Sequence, residues 1–249
     1  MFDLSGRVAL VTGGNGGIGL GLARGLAACG ARVVITGRDH EKNAAALKAL
    51  GGDAHAIAAD LAQPGETDRV LAETLALGGG LAILVNNAGT NLRVPPHEVT
   101  DEQWNTVLEI NLNSVMRLTR AAYPALKASG HGRVISTGSM LSIFGMEFSP
   151  AYGASKGAIV QYTKSIAVAW AKDGITANAI LPGWIDTELT RRARQYSSPL
   201  HDNVLRRTPV GRWGDPSDFL GIAAFLASDE AAYVTGTAIP IDGGFSTQG

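Results

Sequence analysis

The feature that most restricts what this chain can become is the regular alternation of short β-branched runs with helical patterns. The runs "RVALVT" (7–12), "RVVIT" (32–36), "DAHAIAA" (53–59), "LAILVN" (81–86), "GRVISTG" (132–138), "ITANAIL" (175–181) and "TAIPI" (237–241) read as seven strands. Helical periodicity fills the gaps, over 17–29, 40–50, 66–77, 101–128, 151–172 and 216–227. Strands joined through helices are linked by right-handed crossovers and lie parallel. Unbroken apolar runs such as "LAILV" fit a sheet covered on both faces. The 249 residues, 45% hydrophobic and 17% charged, supply one sizeable core. No Pro/Gly/Ser linker and no repeat divides them. The expectation is an α/β fold, one domain over 1–249 with a doubly wound seven-stranded parallel sheet. The polar segment 186–214 breaks the rhythm and reads as a substrate lid.

Between the first strand and the first helix stands "VTGGNGGIGLGLARGLA", with Gly13, Gly14, Gly16, Gly17, Gly19 and Gly21 inside nine positions. Glycine at this density disfavours a helix interior. It suits a chain that turns sharply and lets a ligand approach its backbone. In a strand–loop–helix setting, amide N–H groups and the positive helix end face a pyrophosphate, the Rossmann-type arrangement. The competing reading is a turn that allows close helix–strand packing. The second strand ends in Gly37, Arg38 and Asp39. An acid near this point binds the ribose hydroxyls of NAD, and an arginine accommodates the 2′-phosphate of NADP. Gly37 leaves room, and Arg38 brings a planar cationic donor. NADP(H) is therefore the preferred cofactor and NAD(H) the alternative. Asp39 stands where an N-cap is ordinary. Asp60 ends the third strand, placed to reach an adenine or to cap a helix. Asn86-Asn87-Ala88-Gly89 ends the fourth in a turn suited to a close ligand.

Tyr152 and Lys156 lie four apart, on one face of a helix. Gly153, Ala154, Ser155 and Gly157 keep that face open. Together with Thr12-Gly13-x-x-x-Gly17-x-Gly19, Asn86-Asn87-Ala88-Gly89, Asn111, Ser139 and Pro182-Gly183, in this order and spacing, they make the chain resemble the short-chain dehydrogenase/reductase family from about residue 5 to Gly244. The resemblance implies that Tyr152 is the acid or base and that Ser139 orients the substrate carbonyl or hydroxyl. It implies that Lys156 binds the nicotinamide ribose and that Asn111 holds a water in a proton relay. It also implies a cofactor surface of Gly13, Asn15, Gly17, Ile18, Gly19, Arg38, Asp60, Leu61, Asn87, Ala88, Gly89, Tyr152, Lys156, Pro182, Gly183, Ile185 and Thr187. Pro182-Gly183 would border the nicotinamide. Thr187 would bond the carboxamide or cap the following helix.

The implied chemistry needs these residue types. Hydride transfer belongs to the nicotinamide, and the protein supplies geometry and one proton. A free tyrosine, with a pKa of about 10, is a poor base at neutral pH. A neighbouring cation stabilises phenolate, so Lys156 and the positive nicotinamide are expected to share the lowering of the Tyr152 pKa. The expected activity is an NAD(P)(H)-dependent oxidoreductase acting on a ketone or secondary alcohol. "GRWGDPSDF" (211–219) is similar to members acting on sugars, sugar acids and polyols. The lid cations Arg191, Arg192, Arg194, Arg206 and Arg207, with Arg212, suit an anionic substrate or a solvated face.

One alternative is a 3-oxoacyl-acyl-carrier-protein reductase. That relative commonly carries basic docking residues before "HGR" and "GIT", where this chain has Gly130 and Asp173. Another is a non-catalytic cofactor sensor, against which the intact Asn111, Ser139, Tyr152 and Lys156 speak.

A net charge of −1 gives no basic footprint for nucleic acid. No apolar run nears the roughly 18–20 residues that span a bilayer. The N-terminus lacks the apolar core of a signal peptide. Cys29 is the only cysteine, so no intrachain disulfide forms and a reducing cytoplasm fits. No metal site is expected. Helix 151–172 carries Ile159, Val160, Ile166, Val168 and Trp170 on more than one face, which suits a homo-oligomer, dimer or tetramer.

Overall fold

The computed structural model describes residues 2–191 and 200–248. Seven parallel strands form one sheet: β1 (Val8–Thr12), β2 (Arg32–Gly37), β3 (His55–Ala58), β4 (Ile83–Asn86), β5 (Arg133–Thr137), β6 (Thr176–Pro182) and β7 (Ala238–Ile241). Their order is β3-β2-β1-β4-β5-β6-β7. All seven fall within the runs expected from sequence or within one residue of them. The chain winds outward from β1 to β3 and then returns to place β4 on the other side of β1. The switch point therefore lies between β1 and β4, and ligands bind outside the carboxyl ends of the strands at such a point.

Alternate strand residues serve opposite faces. Ala9, Val11, Val33, Ile35, Ile83 and Val85 pack under α1 (Gly17–Ala28) and a C-terminal helix over Leu220–Ala227. Leu10, Val34, Leu84 and Val134 pack under α3 (Glu66–Gly78), α5 (Ser114–Ala128) and α6 (Pro150–Trp170). Each fully buried large aliphatic side chain contributes about 1.5–3 kcal/mol.

Local sequence sets the helix starts. Asp39 caps α2 (His40–Leu50), accepting from the amides of Glu41 and Lys42. Thr100 and Gln103 form a capping box before α4 (Asp101–Leu108). Pro150 opens α6 at a position that needs no amide hydrogen.

The long helix expected over 101–128 is interrupted. Glu109–Asn113 form a π-helical turn between α4 and α5. Beyond β6, α7 (Leu200–Arg207) and α8 (Leu220–Ala227) complete the described elements. Arg192 and Arg194 of the expected lid lie outside the described residues.

The glycine density of α1 has two causes. A Cβ on Gly21 would lie 2.0 Å from the Pro216 carbonyl oxygen, and one on Gly25 would lie 2.3 Å from that of Leu220. These two glycines admit the backbone leading into α8, so part of the run serves packing rather than a ligand. Gly21→Val is expected to destabilise the fold by about 1–3 kcal/mol, because main chain rather than a flexible side chain must move. Urea unfolding of the variant measures this.

Candidate active site

The carboxyl ends of β1 and β4 are stapled together. Thr12 Oγ1 accepts from the amides of Asn87 (2.9 Å) and Ala88 (3.1 Å). Asn87 Nδ2 donates to the carbonyls of Thr12 (3.1 Å) and Gly13 (3.2 Å). Gly13 and Gly17 take positive φ of 62° and 50°, where a side chain would be strained. A Cβ on Gly19 would lie 2.2 Å from the Gly13 carbonyl oxygen, so the loop closes tightly on α1. No side chain caps α1. The first-turn amides of Gly17, Ile18 and Gly19 have no intrahelical acceptor by geometry. An uncapped positive helix end beside a glycine cradle fits the pyrophosphate of a dinucleotide.

Gly37 ends β2 next to this turn, and Arg38 follows it. Arg38 is exposed and makes no hydrogen bond or ion pair among the described residues. Asp39 is occupied as the cap of α2, its carboxyl held below the usual range mainly by the Lys42 amide. Asp60 accepts from the Ala62 amide at 3.2 Å, in a turn of its own. Leu61 is buried in the core cluster of Leu10 and Val34. Its side chain packs, and only its backbone is left to meet a ligand. Ile18 and Ile185 likewise pack against the cluster of Val11 and Ile35.

Ser139, Tyr152 and Lys156 meet at the carboxyl end of β5. Lys156 Nζ stands 5.7 Å from the centroid of the Tyr152 ring, as the four-residue interval requires. It donates to the Thr137 carbonyl at 2.7 Å. Lys156 is 4% exposed, and burial draws its pKa down from 10.5 to about 8. The Ser139 side chain faces the Tyr152 phenol and opposes the rise that burial causes in its pKa. It also accepts from the Leu141 amide at 3.1 Å, which fixes its hydroxyl at the head of a short 3₁₀ turn.

In the protein without its cofactor the Tyr152 pKa is not depressed. Burial raises it, and the Ser139 hydroxyl opposes this only in part. The Lys156 cation is turned toward a carbonyl rather than toward the phenol oxygen. The protein by itself therefore presents Tyr152 as a protonated phenol at neutral pH, poised as an acid.

Asn111 is tied into the turn after β4. Its Oδ1 accepts from the Thr90 amide at 2.8 Å. Its Nδ2 donates to the Thr90 carbonyl (2.9 Å) and to Ser155 Oγ (3.0 Å). Ser155 Oγ in turn donates to the Tyr152 carbonyl at 2.7 Å. Both amide hydrogens hold the β4 turn against α6, so a relay water would be met by an acceptor of Asn111, its second Oδ1 lone pair or its main-chain carbonyl. The π turn offers a backbone alternative, because such turns interrupt the regular i−4 ladder. A Cβ on Gly89 would lie 3.2 Å from Asn111 Oδ1 and 3.5 Å from Lys156 Nζ, so this turn reaches the cluster of Ser139, Tyr152 and Lys156.

Pro182 and Gly183 end β6, and a Cβ on Gly183 would lie 2.7 Å from Asp242 Cα. Thr187 stands over the glycine loop, its Cγ2 3.2 Å from where a Gly17 Cβ would be. It also begins a turn, its carbonyl accepting from the Arg191 amide at 2.9 Å. Thr137, Ser155 and Thr90 join this site without having been singled out from sequence. Small polar residues of this kind carry no distinguishing pattern of their own.

Comparison with known proteins agrees with this geometry. The family profile described as enoyl-(acyl carrier protein) reductase matches residues 13–246. A 2-dehydro-3-deoxy-D-gluconate 5-dehydrogenase of Pseudoalteromonas atlantica is 41% identical over 251 residues, covering 98% of this chain and 97% of the relative. A 3-oxoacyl-acyl-carrier-protein reductase of Escherichia coli is 37% identical over 242 residues, covering 97% and 98%. The structure of a gluconate 5-dehydrogenase from Burkholderia cenocepacia in complex with NADP and tartrate superposes with a TM-score of 0.92 at 37% identity, covering 99% and 97%. With a matching profile across nearly its whole length and relatives of this closeness, the chain belongs to the short-chain dehydrogenase/reductase family.

Proposed function

We propose that the protein is an NADP(H)-preferring oxidoreductase that interconverts a ketone and a secondary alcohol on a small polar substrate, foremost a sugar acid. One observation carries the reading. Tyr152, with Ser139 at its hydroxyl and Lys156 over its ring, stands at the sheet edge that also holds the uncapped glycine turn. Gly13, Asn15, Gly17, Ile18, Gly19, Arg38, Asp60, Leu61, Asn87, Ala88, Gly89, Pro182, Gly183, Ile185 and Thr187 would hold the dinucleotide, with Lys156 at its nicotinamide ribose. When bound, the nicotinamide supplies or accepts the hydride. The Tyr152 hydroxyl gives its proton to the carbonyl oxygen in reduction and takes one from the alcohol in oxidation. Ser139 donates a hydrogen bond to the same oxygen as charge develops there. Asn111 fixes the turn behind them.

The sugar-acid assignment rests on similarity to the 2-dehydro-3-deoxy-D-gluconate 5-dehydrogenase of Pseudoalteromonas atlantica and the gluconate 5-dehydrogenase of Burkholderia cenocepacia. Among the lid cations, Arg191 is paired with Asp186 and Arg212 with Asp218. Arg206 and Arg207 meet no carboxylate among the described residues, and Arg207 lies 4.3 Å over the Phe245 ring. The similarity to the Escherichia coli reductase keeps an acyl thioester substrate in the screen. Against it, Asp173 offers a carboxylate held by Lys127 and Tyr123 where a basic docking residue was sought.

An absorbance screen with NADP and NAD against sugar acids, polyols, hydroxy acids and acyl thioesters tests the reading. NADP-dependent turnover of a sugar acid is expected, and silence across the panel would contradict it. Arg38→Ala is expected to raise the KM for NADPH about 10–100-fold, the loss of a charged hydrogen bond, and to leave that for NADH little changed.

No described helix is long and apolar enough to cross a membrane. We assign the protein to the cytoplasm and to a homodimer or tetramer. Val168 is 83% exposed on α6 while Ile159 and Ile166 are buried, which leaves one large apolar side chain of that helix for a second subunit. Light scattering reads the assembly directly.

A further inference from the structure

Gly37 is read above as leaving room beside the cofactor ribose. The structure fills that room. A Cβ on Gly37 would stand 2.0 Å from Asn15 Nδ2, 2.4 Å from Asn15 Cγ and 2.7 Å from Asn43 Oδ1. The two asparagines form a clamp over the end of β2. Asn15, in the glycine loop, donates through Nδ2 to Asn43 Oδ1 at 2.8 Å. Asn43, on α2 and only 5% exposed, donates through Nδ2 to the Gly37 carbonyl at 3.0 Å. The orientation is forced, because a carbonyl only accepts. Asn43 must turn its NH₂ to Gly37 and its oxygen to Asn15, and Asn15 must answer with its own NH₂. Breaking one link leaves a buried polar group unsatisfied.

We infer that Asn43 is a positioning residue for cofactor choice, acting through Asn15 to close the seat that an acidic side chain at position 37 would need to hold a ribose 2′-hydroxyl. The inference rests on the NADP(H) reading and goes beyond Arg38. Arg38 attracts the phosphate, and the clamp holds position 37 to a glycine, without the acid that the ribose hydroxyls of NAD would use. A carboxylate at 37 would have to displace the end of the Asn15 side chain and break its bond to Asn43. Nothing in the sequence marks Asn43, which reads as one more polar residue in the first turn of α2.

The test compares Gly37→Asp alone with Gly37→Asp in an Asn15→Ser, Asn43→Ala background. The Kd of NADPH and of NADH is read by fluorescence titration and the fold by circular dichroism. Gly37→Asp alone is expected to lose NADPH without gaining NADH. The triple variant is expected to bind NADH at least about 10-fold more tightly than the single variant, the margin of one restored hydrogen bond of about 1.4 kcal/mol. Equal NADH affinity in the two would overturn the clamp as the gate. If the single variant does not fold, recovery of the fold in the triple variant supports the same conclusion. Failure of both overturns it, since something other than the asparagines would then close the seat. A wild-type enzyme that prefers NADH would refute the NADP(H) reading while leaving the single-against-triple comparison to judge the clamp.

Discussion

A Tyr152→Phe enzyme is expected to bind NADPH with unchanged affinity and to lose about 10²–10⁴-fold in kcat, the range supplied by a positioned general acid–base group. The substitution removes one oxygen and keeps the ring, so the Lys156 contact and the packing of α6 persist. What disappears is the titratable hydroxyl beside Ser139. The raised pKa of Tyr152 adds a direction to this result. A phenol held protonated at neutral pH is ready to donate, so carbonyl reduction should proceed there unaided. Alcohol oxidation needs the deprotonated form, and its kcat/KM should climb as pH rises through the alkaline range. Initial rates in both directions, with cofactor titration of the variant, check the pair of expectations. A variant with kcat near wild type would remove Tyr152 from the chemistry.

The second large effect concerns Lys156. Its ammonium is buried and, among the described residues, meets the Thr137 carbonyl and the Tyr152 ring but no carboxylate. Its pKa falls from 10.5 in the unfolded chain to about 8 in the fold. Below about pH 8 the side chain is charged in both states, and the cost of burying that charge is fully present. Between about 8 and 10.5 the unfolded chain binds more protons, so stability rises with pH. By about pH 9.5 the gain amounts to about 2 kcal/mol. Tyr152 acts in the opposite sense only above its ordinary value of 10, where the folded state retains the proton. Urea unfolding of wild type between pH 7.5 and 9.5 (roughly the lower part of this window) should show the rise. Lys156→Met should flatten it, and the same variant should also bind NADPH less tightly. A wild-type profile no steeper than that of the variant would mean that Lys156 is not desolvated as described.

Much of the fold was legible because parallel strands are buried on both faces and leave unbroken apolar runs. "LAILVN" is such a run, and Ile83–Asn86 is the strand it became. The site was legible where a chemical demand fixes spacing, as between Tyr152 and Lys156. It was illegible where the backbone departs from a pattern that the side chains still obey. The helical periodicity of 101–128 continues through Glu109–Asn113, so the π turn around Asn111 left no trace. Three-dimensional neighbours were also hidden. Gly21 and Gly25 face a backbone nearly two hundred residues away, and the same letter serves a phosphate cradle and a helix contact. The balance of effects on Tyr152 in the protein alone was hidden for a related reason. Sequence brings the cation near the ring but does not reveal that burial outweighs it, or that Thr137 draws the ammonium away.

The most direct test of the account follows one hydrogen atom. Wild-type enzyme is given a keto sugar acid and NADPH carrying deuterium at the transferred position of its nicotinamide ring. Recovery of the hydroxy product with deuterium on the former carbonyl carbon, abolished in Tyr152→Phe, is the predicted result. Product free of deuterium, or equal transfer with and without the Tyr152 hydroxyl, would contradict it.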